Sequence, residues 1–469
     1  MVRKATRLPN GARISDQVSL GVLTATVPAA LVDAVLAETG RQSQRQRQLP
    51  ARLVVYYVMA LALYAQSSYG EVLRGLLEGV RWLRLGGAEL AVATKSAVTR
   101  ARVRLGAAPV RVLFERLARP FATLGVPGAW YRGCRLVSLD GTTLDLPDAP
   151  ELEARYDRPG AGFATECWPR RAAGGASRGT SSYPQLQLLS LTECGTHAIF
   201  AVALDRYDAS EVRLAPALLT QLRPEMLCLV DRAFVGFELW RQAAASGANL
   251  LWRLRANQVL PCQQRLADGS YLSRLYASPA HRRRDEDGIV VRVIEYRLEG
   301  VPGAEPLYRL VTTLLDPAAA PAAELAALYH ERWESEGTFA ELKVSLPGER
   351  LMLRSRRADL VEQEVYGLLL VHLALRQLMY EASRQNGCDP DQLSFLHTVR
   401  VVRRHLPFHA AFSPSAAPAD AAGGADRDPG RAGRAKPRPS QPTRGQAQDE
   451  QLSHQGPRRT RRTPAAALP

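Results

Sequence analysis

The stretch Tyr329–Lys343, YHERWESEGTFAELK, decides how the rest of the chain is read. Arg332, Glu336 and Lys343 stand three, seven and fourteen residues beyond Tyr329. At roughly 100° per residue, an α-helix places the four at about 0°, 300°, 340° and 320°, on a stripe about 60° wide. Glu331, Glu334 and Glu341 fall outside it, at about 200°, 140° and 120°. Leu328, Phe339 and Leu342 make an apolar band beside the stripe that suits docking on a core. An arginine forks onto phosphate oxygens, a lysine supplies a point charge, and a carboxylate offers hard oxygen to magnesium. Such a row suits a phosphate ester held against a metal. It also fits a solvated helix face with an i,i+4 pair between Arg332 and Glu336. Carboxylates elsewhere must separate the two readings.

Two aspartates answer that need. RLVSLDGTTLDLP predicts a strand leading up to Asp140, then a glycine turn and a second extended piece. MLCLVD predicts a short buried strand ending on Asp231. In an α/β layer the C-terminal ends of neighbouring strands lie close together, so aspartates there can share a metal. Two divalent ions about 3.5–4 Å apart activate a nucleophilic oxygen and stabilise the leaving one in phosphoryl transfer. A lone strand-end aspartate is equally a turn or cap residue; the pair gains weight beside the stripe on the 329 helix. Asp145 and Asp148 lie near the first strand and are weaker metal candidates.

Outward from these motifs, residues 1–125 predict an all-helical N-terminal domain. VPAALVDAVLAETG is amphipathic, LPARLVVYYVMALALYAQ a core helix, and SYGEVLRGLLEGVRWL a third helix opened by a serine cap. In TKSAVTRARVRLG, Lys95, Arg100, Arg102 and Arg104 crowd one short helix. It reads either as a recognition helix of helix-turn-helix type or as a surface helix with solvated arginines. Residues 130–384 alternate strands and helices, giving an α/β layer with a mixed sheet. Within it, 155–182 reads as a loop and 256–316 as a β-rich insertion without helices. A helical segment, 385–412, follows. The tail, 413–469, holds ten Lys/Arg against five Asp/Glu and predicts a disordered basic segment.

Composition narrows the partner. The formal charge of +15 and pI near 9.9 point to a polyanion such as nucleic acid. Only four of the 61 basic residues are lysines, one of them Lys343, where the stripe calls for a compact cation. The six cysteines include no C-x-x-C pair, which argues against structural zinc and fits reduced thiols. The N-terminus lacks a secretory apolar core, and the longest uncharged apolar run, Leu53 to Ala65, is too short for a typical membrane span. These features predict a soluble, intracellular protein.

LDGTTLDLPD around Asp140, VDRAF around Asp231, and Tyr-x2-Arg-x3-Glu-x6-Lys across 329–343 together resemble transposases of the insertion sequence 4 family. SLGVLTATVPAALVDAVLAETG and LPARLVVYYVMALALY are similar to that family's leading helices, and LRSRRADLVEQEVYGLLLVHLALR to its closing ones. The resemblance runs from about residue 15 to 410; the tail does not match. It implies a ribonuclease-H-like α/β core with a β-rich insertion, preceded by the helical domain. Asp140, Asp231 and Glu336 would form the catalytic triad and hold two Mg2+ or Mn2+ ions. Tyr329, Arg332 and Lys343 would grip phosphates at the transposon end, and Trp333 would place a displaced base; packing in the core is the other reading of Trp333. The implied activity is that of a DNA transposase. It binds the inverted-repeat ends of its element, cleaves them by two-metal hydrolysis, and joins the 3′-hydroxyl ends to target DNA. The implied partners are double-stranded DNA and a second copy of the chain in a paired-end complex, in a bacterial cytoplasm near the nucleoid. A metal-dependent nuclease of the same fold, or a catalytically silent DNA-binding relic, are the alternatives.

Overall fold

The computed structural model describes residues 21–44, 49–79, 93–159, 183–258, 260–298, 305–409 and 466–467. Helices come first: α1 (Gly21–Thr26), α2 (Ala29–Glu38), α3 (Ala51–Leu63), α4 (Tyr69–Gly79), α5 (Lys95–Leu105) and α6 (Ala108–Leu117). The sheet begins with β1 (Trp130–Tyr131) and β2 (Cys134–Asp145). After α7 (Pro150–Tyr156), the strands β3 (Gln185–Glu193) and β4 (Ala198–Arg206) run antiparallel, β3 against β2 and β4 against β3. Two crossovers follow. α8 (Glu211–Leu219) leads to β5 (Met226–Val230), parallel to β2, and α9 (Phe237–Ala245) leads to β6 (Asn249–Arg253), parallel to β5. All five residues of β5, MLCLV, are buried, as a central parallel strand covered on both faces requires.

β7 (Gln264–Arg265), β8 (Tyr271–Leu275), α10 (Pro279–Arg284), β9 (Ile289–Leu298) and β10 (Tyr308–Thr312) make up the β-rich insertion. It does not stand apart. β10 pairs antiparallel with β6, so the insertion extends the same sheet, in the order β4-β3-β2-β5-β6-β10-β9-β8-β7. Nor is it free of helix, as the sequence predicted: Ser278 caps α10 by accepting from His281 N, and Asp285 ends it at φ 52°. The chain then runs through α11 (Ala322–Leu328), α12 (Glu334–Ala340), α13 (Ala358–Asn386) and α14 (Phe395–His409). A two-residue strand, β11 (Ala466–Ala467), pairs with Arg297 and Leu298 of β9. Residues beyond His409 other than β11, residues 80–92, and residues 160–182 of the expected loop 155–182 lie outside the described residues; the first two residues of that loop, 155 and 156, belong to α7.

The N-terminal helices do not have a core of their own. α3 buries every residue from Leu53 to Leu63, and its side chains share one apolar cluster with α13 and with the sheet. The two helices cross at Gly367, where a Cβ would come within 2.7 Å of Val58 Cγ1 and 3.0 Å of the Val58 carbonyl oxygen. Glycine lets the backbones approach this closely. Among the described residues no helix is long and apolar enough to cross a membrane. The described cysteines are all free thiols.

Candidate active site

β2 and β5 run side by side with Leu139 opposite Val230, so Asp140 and Asp231 are the next residues out on both strands. For Asp231 this is a strand end. For Asp140 it is not: β2 continues without a turn, and Gly141 and Thr142 pair with Leu189 and Leu188 of β3. The expected glycine turn is absent because β3 keeps pairing with β2 where β5 has already stopped. Asp140, Thr142, Asp231, Arg332, Glu336 and Lys343 line one open cleft of about 470 Å3. A larger cleft of about 700 Å3, bounded by Phe114, Arg135, Gln221 and Met226, contains none of the three carboxylates, so size does not select the site.

The stretch that carries Glu336 is not one uniform α-helix. Tyr329–Trp333 is a 3-10 turn, α12 follows, and Glu341–Ser345 is a π-helical turn. Tight and wide turns rotate side chains away from a constant 100° step. Arg332, Glu336 and Lys343 still reach the cleft, but Tyr329 does not. It is buried, and its hydroxyl donates to the Val230 carbonyl at 3.1 Å. The expectation that Tyr329 grips a phosphate is therefore corrected: it ties the helix to the strand end beside Asp231. Burial also pushes its phenol well above the ordinary tyrosine range, which unsuits it as a nucleophile.

Arg332 spans the carboxylates. Its Nη1 donates to Asp140 Oδ2 at 3.1 Å, and its Nη2 lies 3.8 Å from Glu336 Oε1. Ser335 donates its hydroxyl to the same Asp140 Oδ2 at 2.6 Å, while Asp140 Oδ1 accepts from Gly141 N at 2.9 Å. Lys343 Nζ donates to Thr142 Oγ1 at 3.1 Å, and burial holds its ammonium below the usual lysine range. Burial raises the Glu336 carboxyl; Arg332 works against that, and Asp140 and Asp231 add to it. Carboxylates that repel one another in one cleft favour a shared cation. The donors are all hard oxygens, a set that suits Mg2+ or Mn2+ and not a thiolate-seeking metal.

The glutamates off the cleft side anchor the helix from behind. Burial alone would raise Glu341, but Arg376, His197 and His372 hold its carboxyl well below the usual range. Arg376 Nε donates to Glu341 Oε2 at 2.8 Å, and His372 Nε2 lies 3.1 Å from the same oxygen. Glu334 accepts from Gly195 N; burial, then Asp391 and Glu331, push its carboxyl well up. His197, Glu334 and Asp391 bring ligand atoms within 4.8 Å of one another, a second polar cluster separate from the cleft carboxylates. None of this was legible as burial in the sequence.

The other expected contacts divide. Trp333 is 49% exposed with the Arg332 guanidinium carbon 5.9 Å from its ring centre, so core packing is excluded. On α5, Lys95, Arg100 and Arg104 are exposed, whereas Arg102 is buried. Arg102 donates to Gln363 Oε1 at 2.8 Å, Ser355 Oγ at 2.9 Å and the Leu360 carbonyl at 3.2 Å, so its predicted role on DNA is corrected to an internal brace against α13. Asp145 is taken by Gln185 at 2.7 Å and Arg350 at 2.6 Å, and Asp148 by Arg158 at 2.8 Å. Ser335, which holds Asp140, has no distinguishing signal in the sequence one residue before Glu336.

Residues 17–115 match the model of the insertion element 4 transposase N-terminal region, and residues 132–374 match the transposase DDE domain. The chain is 29% identical over 391 residues to transposase InsG for insertion sequence element IS4 of Escherichia coli (strain K12), covering 83% of each chain. It is 25% identical over 230 residues to putative transposase InsZ of the same strain, covering 49% of this chain and 69% of that one. Among solved structures, a piggyBac transposase synaptic complex with hairpin DNA is a loose likeness, with a TM-score of 0.40 and 12% identity over 86% of this chain and 80% of that one. With the DDE-domain match spanning more than half of its length, this chain belongs to the insertion sequence 4 family of DDE transposases.

Proposed function

We propose that this transposase is built on a ribonuclease-H-like core, binds the inverted-repeat ends of its element as a paired complex of two copies, hydrolyses the end phosphodiesters, and joins the freed 3′-hydroxyls to target DNA. Asp140, Asp231 and Glu336 form the catalytic triad in this reading. One observation carries it above the others: on the parallel strands β2 and β5 the two aspartates stand at the same level, Asp140 within β2 and Asp231 just past the end of β5, and Arg332 reaches from Asp140 toward Glu336. The sheet order β3-β2-β5-β6, antiparallel then parallel, supports the core.

The three carboxylates would hold divalent cations, which supply charge to the attacking and leaving oxygens of an in-line displacement. The protein's own groups do the rest. Arg332 holds Asp140 and Glu336 apart and presents a fork to a phosphate at or next to the scissile one. Ser335 fixes the Asp140 carboxylate. Lys343, seven residues beyond Glu336, holds a phosphate further along the same strand. Half-exposed Trp333 offers a face for a displaced base. No covalent protein–DNA intermediate is needed, in keeping with the buried Tyr329 hydroxyl. The exposed Lys95, Arg100 and Arg104 and the +15 charge support a duplex partner.

The test is a cleavage-and-joining assay on a duplex ending in the element's own terminal repeat, with Mg2+ and a supercoiled target. Cutting at the repeat end followed by joined product supports the reading. Cutting without joining would reassign the protein as a nuclease, and end binding without cutting as a relic.

A further inference from the structure

Glu211 opens α8 directly after Ser210, and α8 packs over β3 and β4 beside the cleft. Its Oε1 accepts from Gln187 Nε2 at 3.0 Å, and Gln187 itself is buried. The carboxylate fills the space that a side chain at Gly141 would take: a Cβ there would lie 2.6 Å from Glu211 Cδ and closer still to Oε1. Gly141 is not in the left-handed region and sits within a paired strand, so its backbone has no need of glycine. The need is for room. Gly141 both lines the cleft and donates its N–H to Asp140.

Among the described residues no arginine or lysine pairs with Glu211; its hydrogen-bond partner is a neutral amide. Burial raises its carboxyl first; Asp140 and, more weakly, Asp231 add to that, and the Gln187 amide works against it. A half-buried carboxylate packed against the residue next to Asp140, with no cation paired to it, is costly to keep unless it serves the charge balance of the centre.

We propose that Glu211 is a positioning carboxylate of the catalytic centre, admitted by the missing side chain at Gly141, whose charge strengthens the hold of Asp140, Asp231 and Glu336 on divalent cations. The proposal rests on the triad reading above. Two substitutions reach this carboxylate by different routes. Glu211→Gln removes the charge and keeps the shape. Gly141→Ala keeps the charge and pushes it away.

The experiment titrates Mn2+ into the full chain, followed by the loss of the free-ion electron paramagnetic resonance signal, and separately measures the Mg2+ concentration for half-maximal cleavage of end DNA. Thermal unfolding checks that each variant folds. Glu211→Gln is expected to weaken Mn2+ binding about 10–100-fold, the range for groups that orient metal ligands. Its cleavage should recover at high Mg2+, which a merely structural defect would not do. Gly141→Ala should weaken binding similarly, and the double substitution should be no worse than either alone. Wild-type Mn2+ affinity in Glu211→Gln, with affinity lost in Asp231→Asn, overturns the proposal and leaves the triad reading standing. Wild-type affinity in Asp231→Asn as well overturns both. Additive losses in the double variant assign the Gly141 effect to Asp140 itself and also count against Glu211.

Discussion

Arg332→Lys is the most informative single change in the cleft. The arginine holds Asp140 at 3.1 Å with one nitrogen and stands 3.8 Å from Glu336 with the other, so one planar group fixes the spacing of two carboxylates. A lysine keeps the charge but ends in one ammonium, which serves one carboxylate at a time. The variant thus forfeits either the charge-assisted hydrogen bond to Asp140, worth about 1.5–3 kcal/mol, or the longer ion pair to Glu336, and the larger loss sets the expectation. If that loss falls on the transition state, cleavage slows by roughly ten- to a hundredfold. Binding of end DNA should hardly change, because the positive charge stays. The assay separates the two: gel-shift affinity for the repeat end, then single-turnover cleavage started by adding Mg2+ to the preformed complex. Cleavage at the wild-type rate would refute the bridging role. So would a fall in affinity large enough to account for the whole loss of rate, since the arginine would then serve binding alone.

Three further outcomes follow from the packing. Gly367→Ala drives a methyl onto the Val58 backbone where α3 crosses α13 and should cost about 1–3 kcal/mol, read as a lower midpoint in denaturant with unchanged slope. Glu341→Gln leaves Arg376 buried without its carboxylate and should cost about 3–5 kcal/mol near neutral pH. Because Glu341's folded carboxyl lies well below the ordinary 4.5, its contribution is complete above that value and is lost as pH falls below it; the wild type should therefore lose its advantage over Glu341→Gln in acid, tracked by thermal unfolding from pH 7 downward. On α5, Arg102→Met should lower stability, whereas Lys95→Ala, Arg100→Ala and Arg104→Ala should flatten the salt dependence of DNA binding and leave unfolding nearly unchanged.

The legible part of this molecule was its chemistry in sequence order. Asp140 and Asp231 each follow an apolar strand, and Arg332, Glu336 and Lys343 recur at spacings that keep them on one side even when the helix changes pitch. The pitch itself was hidden, because a 100° wheel assumes one helix type, and Tyr329 at its tight end turned inward. For Arg102 the sequence does carry a signal of burial. Val98, Ala101, Arg102 and Leu105 stand at i, i+3, i+4 and i+7, one apolar face, and a basic residue on that face belongs to the interior. Glu341 offered no such clue, since its partners His197, His372 and Arg376 arrive from β4's turn and α13. The shared core of α3 and α13 was equally out of reach, being a contact between the two ends of the chain. It also means that residues 1–125 alone would expose the apolar faces that α13 covers.

In the proposed reaction Asp140, Asp231 and Glu336 act together on the phosphodiester. The most direct measurement is single-turnover, Mg2+-dependent cleavage of repeat-end DNA by Asp140→Asn, Asp231→Asn and Glu336→Gln, each first shown to bind that DNA. Glu349→Gln, on the exposed turn past the helix, is the control; Glu331 and Glu334 are unsuitable because they belong to the polar cluster behind it. All three triad variants should bind the end and fail to cut it, while the control cuts as the wild type does. Cleavage at the wild-type rate by any one of the three would contradict this.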